Sequence, residues 1–423
     1  MSLGQERLYP RKNYILNTVD GTFVAAGQGM VGVNILMLFI SEYIGNKSLI
    51  GLLVTVNILL LHCGQIFLSD RIQKMPRLKT FILVLCVIER SLWILLGVSV
   101  ILLAERYTGL FLVLFYIMYG LLGLGSAFLN FTWINYIVRI INPGVRGRFL
   151  AIRSSITGVF SMLGALLYGF IIKQWDLPLN YGLLFIISGC IQMIAIPILG
   201  ATREPEAREI QVESALKPRL SPRTVIDVLK KDKTFAYYLM SMALVSGLGK
   251  MVFSFQVVFA REKLAITGEH NAYALFLMLA CQCVGALLCG VAGDRYGFKI
   301  LTIGATVLLL PAVLLTYLMN GFPMFYLSMG LVGLSQGVTS VSGTNLIVQL
   351  GKGIKNMPVY AGIFNFILGP VIALNYIVSG VLYDAFGYGL ICMISAVSLA
   401  AGAGFLYWHL LRRGTEKQQP AIE

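Results

Sequence analysis

The chain has 423 residues, 57% of them hydrophobic and 12% charged, with a formal net charge of +14. A soluble protein of this length carries roughly twice that charged fraction, so composition points away from a water-soluble enzyme and toward a multi-pass membrane protein. Apolar runs of about 20 residues, enough to cross a hydrocarbon core of ~30 Å, recur about twelve times. They cover 14–40, 48–68, 79–103, 109–138, 150–172, 181–200, 235–260, 271–291, 299–319, 323–349, 357–381 and 388–411. The runs are too long for the short alternating strands of a membrane β-barrel. The residues ahead of segment one lack the layout of a removable signal peptide.

Polar residues on these segments fall on faces at helical spacing. Segment one carries Asn17, Asp20, Gln28 and Asn34 on one side. His62, in segment two, is the type of residue that packs or hydrogen-bonds inside a bundle. Segment three holds the adjacent Glu89 and Arg90, which project about 100° apart and must find different partners. They are expected to form a charge network, with a proton relay as the alternative. Segment four carries a stripe of Tyr119, Ser126, Asn130 and Trp133. Segment seven aligns Ser246, Lys250 and Ser254, and segment ten aligns Gln336, Thr339 and Ser340. For any single Ser, Thr or Asn, helix–helix hydrogen bonding is a sufficient explanation. Packed against lipid, four whole stripes would strand their polar groups, so together they imply a water-accessible cavity.

The halves of the chain repeat. Gly120-Leu121-Leu122-Gly123-Leu124 through Asn135-Tyr136-Ile137-Val138 recurs, without a gap, as Gly330-Leu331-Val332-Gly333-Leu334 through Asn345-Leu346-Ile347-Val348. Lys12-Asn13-Tyr14 and Lys233-Thr234-Phe235 open the two halves. Such duplication implies two similar six-helix bundles with a ligand site between them. The expected domains are residues 1–200, a linker at 201–234 with a short amphipathic helix opening at Pro222, and residues 235–423. Asn135 and Asn345 face away from the polar stripes, as packing residues would.

Basic residues cluster before segment one and at 71–79, 139–153, 203–233, 295–299, 352–355 and the tail. The opposite side holds only Lys47, Arg106, Lys173, Arg261 and Lys263. This bias places both termini in the cytoplasm, makes the cytoplasmic membrane the expected location, and accounts for the charge without nucleic acid. The seven cysteines lie inside apolar segments, and the spacing of Cys281 and Cys283 suits neither a disulfide nor a two-ligand metal site; packing is expected.

The loop after segment eight, Gly290-Val291-Ala292-Gly293-Asp294-Arg295-Tyr296-Gly297-Phe298-Lys299, resembles the Gly-x-x-x-Asp-Arg-x-Gly-x-Lys motif of the major facilitator superfamily. The loop after segment two keeps Ser69-Asp70-Arg71 in a degenerate copy, with Gly64 misplaced and Met75-Pro76 near the second glycine. Pro143-Gly144-Val145-Arg146-Gly147-Arg148, with Arg153 beyond, also looks like this superfamily. The resemblance, to the bacterial-type twelve-helix members, covers about 12–412. It implies an all-α membrane protein of about 12 transmembrane helices in two pseudo-symmetric bundles. It further implies a central cavity lined by segments one, four, seven and ten, with charged cytoplasmic latches at Asp70, Arg71, Arg146, Arg148, Asp294 and Arg295. A tight turn with a positive-inside anchor is the plainer account of those latch residues.

Under this reading Gln28, Asn34, Tyr119, Ser126, Asn130, Trp133, Ser246, Lys250, Ser254, Gln336, Thr339 and Ser340 are candidates for the substrate cavity. Lys250 is expected to hold an anionic or zwitterionic solute, or to pair with Asp20 when no solute is bound. Asp20, Glu89 and Arg90 are candidates for coupling, with Asp20 as a proton carrier. Departures from the family matter. Segment five lacks the Gly-Pro motif of drug/proton antiporters, Gly369-Pro370 falls in segment eleven instead, and the usual segment-four arginine motif is missing. No phosphate loop, His-Glu-x-x-His or G-x-S-x-G element occurs, which argues against ATP hydrolysis and against an enzyme. The expectation is a proton-coupled secondary transporter of a small organic solute, working as a monomer without cofactors. A non-transporting sensor or assembly factor of the same fold, and an uncoupled uniporter, are the alternatives.

Overall fold

The computed structural model describes residues 11–64, 72, 75, 77–204, 222–351 and 357–412. Among them every regular element is helical. The helices are α1 (Arg11–Met30), α2 (Val33–Ile40), α3 (Lys47–Cys63), α4 (Lys79–Leu103), α5 (Thr108–Ile140), α6 (Pro143–Gln174), α7 (Leu179–Gly200) and α8 (Pro222–Lys231). They continue as α9 (Lys233–Leu244), α10 (Met251–Ser254), α11 (Gln256–Leu264), α12 (Gly268–Tyr296), α13 (Phe298–Tyr317), α14 (Phe322–Leu350), α15 (Met357–Phe386) and α16 (Tyr388–Leu406). Short π-helical turns occupy Val245–Gly249 and Tyr407–Arg412.

Local chemistry sets several boundaries. Asn142 caps α6 by accepting the Gly144 amide at 2.9 Å, and Pro143 fills the first turn where no donor is needed. Asp232 caps α9 by accepting the Phe235 amide at 3.0 Å. Gly297, at φ 82°, makes the sharp turn into α13, a backbone state that side chains resist. A Cβ on Gly293 would strike the Phe298 ring, so Gly293 and Gly297 are explained by the turn itself, whereas a Cβ on Gly290, the motif's first glycine, would meet open space.

Nine stretches among the described residues are long and apolar enough to cross a bilayer. The expected twelve differ at three places. α3 has 17 residues, segment seven is interrupted, and α14 is diluted by Ser, Thr, Gln and Asn. Large apolar side chains such as Leu102, Phe170, Leu287 and Val397 stand more than half exposed, as lipid-facing residues do.

Two compact units emerge. The first takes the described residues to Phe39, those from Val56 to Glu204, and Thr267–Phe276; the second takes Ile40–Thr55, those from Pro222 to Ile266, and those from Leu277 onward. In the first, α1 packs on α6 and α7, and α4 on α5 and α7. In the second, α13 packs on α14 and α16, and α9 on α15 and α16.

The repeated sequence has a packing cause. A Cβ on Gly123 would collide with the Asn57 carbonyl of α3, and one on Gly333 with the Met278 carbonyl of α12. Each unit therefore uses its glycine to bring two helix backbones together. At the other end of the repeat, Tyr136 and Ile137 lie in one unit's core and Leu346 and Ile347 in the other's. Asn135 and Asn345 each donate to the carbonyl four residues back, Phe131 at 2.8 Å and Val341 at 2.9 Å. Val225, Val228 and Leu229 of α8 pack onto the second unit's core, giving that amphipathic helix a protein partner.

Candidate functional site

In the first unit, buried charge gathers around α1. Asp20 is 3% exposed, and its Oδ2 lies 3.6 Å from Nη2 of Arg153 on α6. The Arg153 Nε donates to the Asn17 carbonyl at 3.0 Å, and its guanidinium lies 4.3 Å from the Trp133 ring centroid. Gly21 makes this possible: a Cβ there would sit 2.7 Å from the guanidinium carbon. Asp20 therefore has Arg153 as its counter-ion within the first unit, a pairing that sequence reasoning did not name. A cation about three helical turns inside α6 was the available signal.

Glu89 and Arg90 are also buried, at 5% and 4% exposure. Glu89 Oε1 accepts Trp93 Nε1 at 3.3 Å and Ser126 Oγ at 3.5 Å. The Arg90 Nε and Nη1 have no hydrogen-bond partner among the described residues, nor do Asp20 Oδ1, Asn17 Oδ1 and Trp133 Nε1. The expected partner for Arg90 on a neighbouring helix is thus missing for two of its donors. Buried polar groups cost free energy when unpaired, so this cluster is poised to take water, a proton or a polar ligand group.

The other first-unit candidates separate. Gln28 and Asn130 are exposed, and Asn34, Ser126 and Trp133 are half-buried. Tyr119 departs from the expected stripe. It is 3% exposed and stacks on Phe115, because the aromatic core of Phe39, Phe111, Phe115 and Phe185 fills that side of α5.

In the second unit the decisive feature is the interruption of segment seven. The π-turn Val245–Gly249 ends at Lys250, the four-residue α10 follows, and a second break comes at Phe255. Backbone groups freed inside a membrane helix must be satisfied by neighbours. Asn375 of α15 does this. Its Nδ2 donates to the Ser246 carbonyl at 3.2 Å and the Gly247 carbonyl at 2.6 Å. Its Oδ1 accepts Ser254 Oγ at 2.9 Å and Ser379 Oγ at 3.0 Å. Ser395 accepts the Val252 amide at 3.1 Å and donates to the Leu248 carbonyl at 3.2 Å. Ser246 and Ser254 are therefore buried packing partners of Asn375 and do not line an open face. Helical periodicity put them on the Lys250 face because it assumes an unbroken helix.

Lys250 is half-buried at the break, and its ammonium forms no ion pair or hydrogen bond among the described residues. Gln336 and Thr339 are half-buried and Ser340 is exposed; the two hydroxyls donate within their own helix, to Ser335 and Gly337 carbonyls at 2.8 Å. A cavity of about 410 Å³ lies beside the break, lined by Leu244, Leu248, Met251, Leu374, Val378 and Phe405 among others.

The cytoplasmic latch candidates behave differently from one another. Arg146 donates to the Val138 carbonyl at 2.9 Å and the Ile141 carbonyl at 3.2 Å, capping the end of α5. Arg148 is exposed, and Arg295 lies 5.4 Å from the Tyr296 ring centroid. Asp70, Arg71 and the Asp294 side chain lie outside the described residues. A polar cluster that sequence reasoning missed centres on Glu204. Its carboxylate accepts the Leu78 and Lys79 amides at 2.9 Å, capping α4, and lies 3.4 Å from Arg139, which also donates to the Met75 carbonyl. Asn13 clamps the adjoining Arg203 backbone through both its amide atoms, each at 2.8 Å.

The family model described as Major Facilitator Superfamily matches residues 21–269 and 239–423. Among solved structures, the nucleoside transporter NupG superposes with a TM-score of 0.69 at 13% identity, covering 94% of this chain and 99% of its own. The D-xylose-proton symporter gives 0.69 at 13%, covering 94% and 97%. An inward-facing, unoccupied bacterial homologue of the human lysosomal transporter Spinster gives 0.65 at 15%, covering 97% and 98%. At these identities the likeness is one of fold. A comparison with curated proteins finds no match to the chain.

Proposed function

The chain belongs to the Major Facilitator Superfamily, a family of membrane transporters, and from that premise we propose that it is a secondary active transporter of a small anionic or zwitterionic organic solute. Transport proceeds by alternating access across the cytoplasmic membrane, with both termini in the cytoplasm and protons as the coupling ion. The observation that carries the substrate class is Lys250. A cation within a spanning segment costs roughly 2.5–3.5 kcal/mol. Here it stands at a helix break, without an ion pair among the described residues. An anionic group of the solute offsets that cost. Proton coupling rests on Asp20, a buried carboxylate with one engaged oxygen and one open oxygen.

The test is reconstitution into proteoliposomes under an imposed proton gradient. Labelled organic anions and zwitterions are first narrowed by thermal shift, since a ligand of the folded form raises its apparent stability. Uphill accumulation is expected in the native protein. Asp20→Asn should lose accumulation but keep exchange, and Lys250→Gln should lose both. Absence of flux under every imposed gradient refutes the reading.

A further inference from the structure

Asn375 touches segment seven on both sides of Lys250. It holds the Ser246 and Gly247 carbonyls before the break and the Ser254 hydroxyl after it, using all four of its hydrogen-bonding positions. The α15 turn that carries Asn375 is itself entered by a foreign side chain. Thr55, on α3, donates its hydroxyl to the Ala373 carbonyl at 2.8 Å and accepts the Ile377 amide at 3.1 Å. Those two backbone groups are four residues apart and would pair across one turn of an undisturbed helix. A side chain inserted at that point is a recognised cause of a local bend. Close packing fixes the insertion. A Cβ on Gly51, one turn before Thr55, would run into the Tyr376 carbonyl. Thr55 is 5% exposed and Asn375 6%.

We propose that Thr55 and Asn375 form a relay that positions Lys250. With the Thr55 hydroxyl seated in the 373–377 turn, Asn375 clamps the π-turn and α10 in register and fixes where the ammonium stands. When Thr55 withdraws, the turn closes on itself, Asn375 moves with it, and the carbonyls at 246 and 247 are released. Thr55 comes from the first half of the sequence, and Asn375 and Lys250 come from the second. The relay therefore carries the seating of α3 on α15 to the solute-binding cation. The inference rests on the reading that Lys250 holds the solute, but its test involves no solute.

The test is hydrogen–deuterium exchange of the full chain in detergent or nanodiscs, followed at 245–255 and at 373–377. Asn375→Leu should speed exchange at 245–255 by roughly tenfold, as a buried hydrogen-bonded clamp is lost. Thr55→Val preserves shape but removes the hydroxyl; it should speed exchange at 245–255, which residue 55 does not touch, and alter the rate at 373–377 as that turn closes. Thr55→Ser, which restores the hydroxyl, should return both to native rates. If Thr55→Val alters 373–377 alone, or leaves both unchanged, the relay is wrong. If it behaves as expected while Lys250→Gln still transports, only the solute-binding role of Lys250 fails.

Discussion

Arg153→Gln is the perturbation with the largest calculable consequence. Its charge lies 3.6 Å from Asp20, with side-chain exposures of 19% and 4%. At that distance and an effective dielectric near 20, the attraction is about 4–5 kcal/mol. Removing the cation leaves a buried carboxylate whose other oxygen already lacks a partner, and breaking a buried pair costs about 3–5 kcal/mol. The substitution also forfeits the Asn17 carbonyl and Trp133 ring contacts. Asp20→Asn is cheaper, about 1–3 kcal/mol, because Arg153 keeps both of those contacts and has some access to water. The double substitution should cost about 2–3 kcal/mol less than the sum, since neither charge is stranded. Thermal unfolding can be read by a thiol-reactive dye, because the free cysteines Cys86, Cys289 and Cys392 are buried until the protein opens. Arg153→Gln should lower the apparent Tm by roughly 3–6 °C. Equal costs for the two single variants, or strict additivity in the double, would refute the pairing.

Gly333→Val should unfold or trap the second unit, because its side chain would meet the Met278 backbone, an overpacking cost of about 1–3 kcal/mol or more; Gly304→Ala, with open space around it, is the control for the same melting assay. Lys250→Met should abolish solute uptake yet raise the apparent Tm, by relieving up to about 3 kcal/mol of desolvation, and a lower Tm would reveal a stabilising partner for the ammonium. Glu204→Ala should cost about 2–3 kcal/mol by uncapping α4 and freeing Arg139, with hydrogen exchange at 78–82 as the check. Gly297→Ala should cost about 1–3 kcal/mol at its φ of 82°, measured by the same thermal scan.

Hydropathy alone located nine of the twelve expected spanning segments among the described residues, because the bilayer demands length and apolarity and little else of a helix. The repeat was equally legible. Gly123 and Gly333 recur since two backbones can approach only where no Cβ intervenes, and Tyr136-Ile137 and Leu346-Ile347 recur because equivalent core positions accept only apolar bulk. The motif turn at Gly297 follows from one residue's freedom at positive φ. The site was legible only as a list of residue types. Charges inside apolar segments marked Asp20, Glu89, Arg90 and Lys250, but a charge does not name its partner. Arg153 becomes the partner of Asp20 because α6 packs on α1 and Gly21 leaves room for the guanidinium, and that contact is written in the packing of two helices rather than in either one. Likewise the polar face of Ser246, Lys250 and Ser254 presupposed a regular helix. The π-turn rotates that face, and it persists because Asn375, more than a hundred residues away, supplies the hydrogen bonds the break removes. Local sequence fixes what each helix can bury; only the assembled helices decide which buried polar groups meet.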